Sequence, residues 1–142
     1  MIRSVLAVLA GIVVLTIASF AIEEVANPLT LRVFPDALSN GAPLSHTLPA
    51  RLFMMAYTML SVAAGGYVTA WIARRSQVWH AIIMGAIQVA LTVWAMFKLP
   101  HQAPLWAWIT GMVLIVPASW LGGVIRAKQA SRQWHTVQAP SN

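Results

Sequence analysis

Cysteine is absent from the 142-residue chain, which excludes a disulfide-stapled scaffold and any chemistry that needs a thiol. Charge is scarce as well: 8% of residues are Asp, Glu, Lys or Arg, against roughly 25% in a soluble domain. Acids are the scarcest, three against nine Lys and Arg, and all three (Glu23, Glu24 and Asp36) fall in one stretch. So little charge excludes a soluble domain, and so much apolar residue excludes a disordered tail. What is present is apolar: 59% hydrophobic residues and a mean hydropathy of +0.73, gathered into long blocks. The composition is that of a small polytopic membrane protein.

Four blocks are long enough to cross a bilayer, whose hydrocarbon core of about 30 Å takes about 20 apolar helical residues. They are residues 4–22, 52–73, 78–97 and 104–125; the third contains His80 and Gln88 but no formal charge. Backbone amides cannot stay unpaired in lipid, so these blocks must be helices. No short alternating stretches suggest a barrel. The expected fold is a single all-α membrane domain: a four-transmembrane-helix antiparallel up-down bundle, N-in/C-in. An outer loop over residues 23–51 and a cytoplasmic tail over residues 126–142 complete it. Pro28, Pro35, Pro43 and Pro49 disfavour a long helix within that loop, and Asn40-Gly41 signals a turn. The short connections 74–77 and 98–103 make helices two and three, and three and four, antiparallel neighbours.

Orientation follows from the cations. With the N-terminus inside, Arg3, Arg74, Arg75, Arg126, Lys128 and Arg132 are cytoplasmic, while Arg32, Arg51, Lys98 and all three acids are outside. The chain is therefore expected in a bacterial inner membrane, multi-pass, with both termini cytoplasmic. The same distribution accounts for the net charge of +6 through topology and contact with anionic headgroups, so no nucleic-acid partner is expected. Arg3, the apolar run and Ser19-Phe20-Ala21 also resemble a secretory signal. Retention is the expectation, since an even number of spans matches the basic tail. Trp71 and Trp79 flank the inner turn, and Trp94, Trp106 and Trp108 lie near the outer one, as interfacial belts require.

Membrane helices associate through small residues and a few polar side chains. Each span has such a stripe: Ala7 and Gly11, with Thr16, Ser19 and Glu23 on a neighbouring face; Thr58, Ser61, Gly65 and Thr69; Ala81, Gly85, Gln88, Thr92 and Ala95; Ala107, Gly111, Ala118 and Gly122. These should line the interior and leave the large aliphatic and Met side chains to lipid. Gly11, Gly65, Gly66, Gly85, Gly122 and Gly123 all fall in the inner half, and Gly111 alone in the outer half of a span. The bundle is thus expected to be tight inside and splayed outside, with an outward cavity lined by Thr16, Ser19, Thr58 and Thr92. A faint repeat pairs Ala7-x-x-x-Gly11 with Ala81-x-x-x-Gly85, and Gly65-Gly66 with Gly122-Gly123. Two like hairpins would then be related by an axis along the membrane normal.

Chemistry-bearing residues are few. Glu23 and Glu24 reach the outer headgroup level, and Arg51 opens helix two, where a cation opposes the helix dipole. An ion pair of Arg51 with either glutamate would clamp the first hairpin; the alternative role for the glutamates is proton or cation handling. Gln88 is read as interhelical glue. Of His46, His80, His101 and His135, no pair has metal-ligand spacing, though His46 and His101 share the outer side with the acids. No phosphate loop or nucleophile motif is visible, and neither cofactor nor metal is expected.

The stretch from Ala63 through Gly65-Gly66-Tyr67-Val68-Thr69-Ala70 to Arg74, with His80-Ala81, Gly85, Pro104-Leu105-Trp106 and Pro117-Ala118-Ser119-Trp120-Leu121-Gly122-Gly123, resembles a known pattern. It is that of an uncharacterised family of small bacterial four-helix inner-membrane proteins (GGYVTAxIA and PAxxLGG). The resemblance covers helices two to four and implies an intact four-helix bundle without a stated activity. The chain is unlike the small multidrug exporters, which carry a glutamate in mid-membrane in the first span. The functional expectation is a non-enzymatic accessory or assembly subunit, or a self-associating bundle, acting through helix–helix contacts. Its partners would be the lipid bilayer and a larger membrane complex or further copies. The alternative is a small solute or ion transporter or channel with Glu23 or Glu24 as the coupling group.

Overall fold

The computed structural model describes residues 2–34, 48–73, 76–99 and 103–137. They form four helices: α1 (Ile2–Val33), α2 (Leu48–Ala73), α3 (Gln77–Lys98) and α4 (Leu105–Val137). Each is long and apolar enough to cross a membrane, and no strand occurs among the described residues. One end of the bundle is marked by Ser76, where α2 gives way to α3; Leu99, after α3, marks the other.

The helix ends correct the expected boundaries. At 1.5 Å per residue, the 32 residues of α1 and 33 of α4 run about 50 Å, well beyond a hydrocarbon core of about 30 Å. α1 continues past Glu23 and Glu24 and through Pro28, so residues 23–33 are helical rather than loop. Two glutamates after an apolar run do not end the helix, because a helix satisfies its own amides in water as well as in lipid. Pro28 removes one donor, yet Ala26 and Thr30 on either side of it are buried, so packing holds the turn. α2 opens at Leu48 with Pro49 in its first turn, where a missing N–H has no partner to lose. α4 extends through most of the expected tail. Residues 35–47, with Asp36, the Asn40-Gly41 turn and His46, lie outside the described residues, as do Arg74, Arg75 and His101.

The neighbours expected from the short connections, α2 with α3 and α3 with α4, do pack, and α2 also packs on α4. α2 is the central helix, packed extensively on α1 and on α4; α3 packs chiefly on α4, less on α2, and only slightly on α1. Going round the bundle the order is α1, α2, α4, α3, and the side between α3 and α1 is nearly open. Val8, Leu15, Val62, Met84, Ile115 and Ala118 form the core. Met84 is fully buried, against the expectation that Met faces outward: an unbranched side chain fills the irregular gap between close backbones.

The expected splay is not seen in α1 and α2, where Ala26, Thr30, Ala50 and Arg51 are buried at the end away from Ser76; only α3 is unevenly buried. Its buried residues are Ala81, Met84 and Gly85; from Ala86 to Lys98 none is buried. The half toward Ser76 holds the fully buried residues, and in the half toward Leu99 Val89 packs only partly against the core.

Candidate functional site

Backbones meet where the glycines are. A Cβ on Gly11 would strike the Thr69 hydroxyl and come within 2.9 Å of the Gly65 carbonyl oxygen, while one on Gly65 would lie 2.8 Å from the Gly11 oxygen and 2.9 Å from the Leu15 Cβ. On the other face of α2, a Cβ on Gly66 would strike the Ser119 carbonyl oxygen, and one on Gly122 the Ala63 oxygen. Gly85 faces Ser119 and Gly123 faces Ala81, which joins α3 to α4. At Gly11, Gly65, Gly66, Gly85, Gly122 and Gly123 an added Cβ would meet atoms of a neighbouring helix. Gly111 differs: nothing lies within 4 Å of where its Cβ would be.

Hydroxyls in the spans mostly return to their own helix. Thr16, Thr30, Thr58, Ser61, Thr69, Thr92 and Thr110 each donate to the carbonyl four residues earlier, and Ser119 to that of Val116. Such back-bonding is how a hydroxyl is satisfied in lipid without a partner helix. Thr16 and Thr58 are exposed, which corrects their expected place in the interior. Gln88 is half-buried; its backbone carbonyl accepts the Thr92 hydroxyl, and no side-chain hydrogen bond of Gln88 is found among the described residues. One side-chain bond does join two helices: the Tyr67 hydroxyl donates to Gln129 Oε1 at 2.7 Å, pinning the extension of α4 to α2.

The polar group at the other end of α2 is compact. Arg51 is only 8% exposed and Tyr57 is buried; the Phe53 ring meets Tyr57 edge-on at a centroid distance of 6.0 Å. Glu23 is half-buried and Glu24 exposed. Register explains the grouping. Fourteen residues from Gly65 toward the end away from Ser76 is Arg51, and fourteen from Gly11 and Leu15 toward that end are Val25 and Leu29. Arg51 therefore stands one turn beyond the two glutamates. The sequence singled out Glu23, Glu24 and Arg51 but not Tyr57, which resembled any other aromatic in a span.

A groove follows the open side between α1 and α3. Ser4, Val5, Val8, Leu9 and Ile12 line it from α1, and His80, Ile83 and Ile87 from α3; its volume is about 390 Å³. Nothing in the sequence distinguished these aliphatic residues from ordinary lipid-facing ones. His80 begins its polar end: the backbone N–H and ring Nδ1 both approach the Ser76 carbonyl oxygen, at 3.2 and 3.0 Å. Ser76 itself takes the left-handed conformation, φ 49°.

Among the described residues no three His, Asp or Glu converge as a metal site. Two buried nitrogens, Trp108 Nε1 and Arg126 Nε, have no hydrogen-bond partner among them. No known protein family, curated protein or solved structure matches the chain.

Proposed function

We propose that the chain is a multi-pass protein of a bacterial inner membrane, both termini cytoplasmic, that acts without catalysis through lateral helix contacts. It would serve as an accessory or assembly subunit of a larger membrane complex, or as a self-associating bundle. The observation that carries this reading is the contrast among the glycines. Six have atoms of a neighbouring helix where a Cβ would stand, whereas Gly111 on α4 meets nothing, beside a stretch of α3 from Ala86 onward without a buried residue. In lipid, a small residue whose side admits a close backbone is a seat for a helix. Gln88, Thr92 and Ala95 lie along that loose stretch of α3 at helical spacing, as a partner helix would require.

The test is purification in a mild detergent with measurement of particle mass, for the natural chain and for Gly111→Leu. A particle larger than the 15.4 kDa monomer with its detergent, reduced to the monomer by the substitution while thermal stability holds, is the expected result. A monomer both in detergent and in native-lipid nanodiscs contradicts it.

The transporter reading is favoured by one observation, a half-buried Glu23 toward the same end of the bundle as the buried Arg51 and Tyr57. It requires that Glu23→Gln abolish an ion-dependent flux in vesicles without lowering protein level. The lateral-contact reading requires no flux at all.

A further inference from the structure

The groove between α1 and α3 has an arrangement that lipid exposure alone does not explain. Its aliphatic residues run from Val5 to Ile12 on one wall and over Ile83 and Ile87 on the other, and its two polar side chains are Ser4 and His80, each in the first turn of its helix. Because consecutive helices alternate in direction, α1 and α3 are parallel, and the groove follows their axes from the Ser76 end inward. From Ser4 to Ile12 it runs about 12 Å at 1.5 Å per residue, most of the roughly 15 Å depth of one leaflet's hydrocarbon. Its volume of about 390 Å³ lies within the range of small-ligand sites, about 300–1,000 Å³.

Charge says which lipid. The described acids, Glu23 and Glu24, belong to the opposite end of the bundle. At the groove's polar end α4 passes α3 at Gly123, which faces Val78 and Ala81, and continues into Arg126, Lys128 and Arg132, so every described charge there is positive. In the sequence Arg3 adjoins Ser4, and Arg74 and Arg75 lead into Ser76. Clusters of cations at this depth attract anionic headgroups.

The polar end is also prepared for a ligand. A ring nitrogen facing a carbonyl oxygen must carry a proton, so His80 Nδ1–H donates to Ser76 and the ring is held with Nε2 left for an outside group. Neutral, Nε2 accepts from a headgroup hydroxyl; protonated, it donates to a phosphate oxygen. The Ser4 hydroxyl is exposed and makes no hydrogen bond among the described residues, unlike most hydroxyls of the spans.

We propose that the α1–α3 groove seats one acyl chain of an anionic phospholipid, with the headgroup at Ser4 and His80. The site differs from a lateral protein seat at Gly111, which lies on α4 toward the other end, so either assignment stands if the other fails.

The experiment uses the full chain in vesicles of phosphatidylethanolamine with a minor fraction of phosphatidylglycerol bearing a photoreactive acyl chain. After irradiation and digestion, labelled residues are located by mass spectrometry. Labelling concentrated on Val5, Leu9, Ile83 and Ile87 over Ile109 and Val113, which face outward elsewhere, is expected. Native mass spectrometry should find phosphatidylglycerol retained by the natural chain and by Val113→Trp. Retention by Ile83→Trp, whose indole fills the groove, should fall at least about tenfold, the loss given by only two methylenes no longer buried. Should Ile83→Trp fail to fold, the labelling of the natural chain decides alone. Even labelling of all outward faces overturns the proposal. So does equal labelling of the groove by a phosphatidylcholine probe, or cross-linking of the groove to a second copy instead of to lipid.

Discussion

Alanine at Gly66 or Gly122 should push α2 and α4 apart, whereas alanine at Gly111 should strengthen the fold. A methyl on Gly66 would lie 2.9 Å from Ser119 Cα and 3.0 Å from its carbonyl carbon; one on Gly122 would lie 2.8 Å from Tyr67 N and 3.0 Å from the Ala63 carbonyl carbon. Carbon contacts are optimal near 3.5–4.0 Å, and the obstacles are backbone atoms that no rotamer change moves aside. The helices must therefore separate by about 0.5–1 Å, and a gap of that size forfeits a quarter to a half of each dispersion contact along the seam. Overpacking of this kind costs about 1–3 kcal/mol, and these sites belong at the upper end. At Gly111 the methyl meets nothing, and replacing glycine within a helix gains about 0.5–1 kcal/mol. The helical gain is common to all three sites, so the two kinds of substitution should differ by the overpacking alone, about 2–3 kcal/mol, or roughly thirtyfold to somewhat over a hundredfold in the unfolding equilibrium. Reversible unfolding in mixed micelles with increasing sodium dodecyl sulfate, followed by circular dichroism, measures it. The double variant supplies a sharper check: once one methyl has parted the helices the second finds room, so the paired cost should fall short of the sum. Equal effects at Gly66, Gly122 and Gly111, or strict additivity of the first two, would refute the reasoning.

Other substitutions follow from particular atoms. Ser76→Gly should stabilise the chain by about 1 kcal/mol, because φ 49° costs an L-residue roughly that much and glycine little; the same unfolding assay reads it. Tyr67→Phe removes the hydrogen bond to Gln129 and should cost about 0.6 kcal/mol, the average for such bonds in membrane proteins, while speeding proteolysis of the α4 extension. Thr58→Val should leave stability within about 0.5 kcal/mol, because the exposed hydroxyl serves only the Met54 carbonyl of its own helix.

Span number was legible because lipid leaves the backbone one solution, and because charge marks where the apolar runs stop. Helix length was not legible for the same reason. Glu23 and Glu24 end the apolar run, while α1 continues to Val33 on packing at Ala26 and Thr30. The glycines revealed the seams, since no other residue lets Gly11 approach Gly65 or Gly122 approach Ala63. They did not reveal which helices share a seam: Gly66 meets Ser119 across α2 and α4, a pairing that short connections between consecutive helices would not suggest. Thr16 and Thr58 misled because a threonine that bonds its own carbonyl is as much at home facing lipid as facing another helix. The α1–α3 groove was hidden because a valine lining a groove and a valine facing lipid are the same letter.

The absence of cysteine makes the most direct measurement simple, since any cysteine introduced is the only one. With single cysteines at Phe34, Ser76 and Leu99 and a membrane-impermeant maleimide applied to intact cells with a permeable outer layer, Phe34→Cys and Leu99→Cys should react at once. Ser76→Cys should react only after the inner membrane is opened. Reaction of all three in intact cells, or of Ser76→Cys alone, would contradict a chain that crosses the bilayer four times with both ends inside.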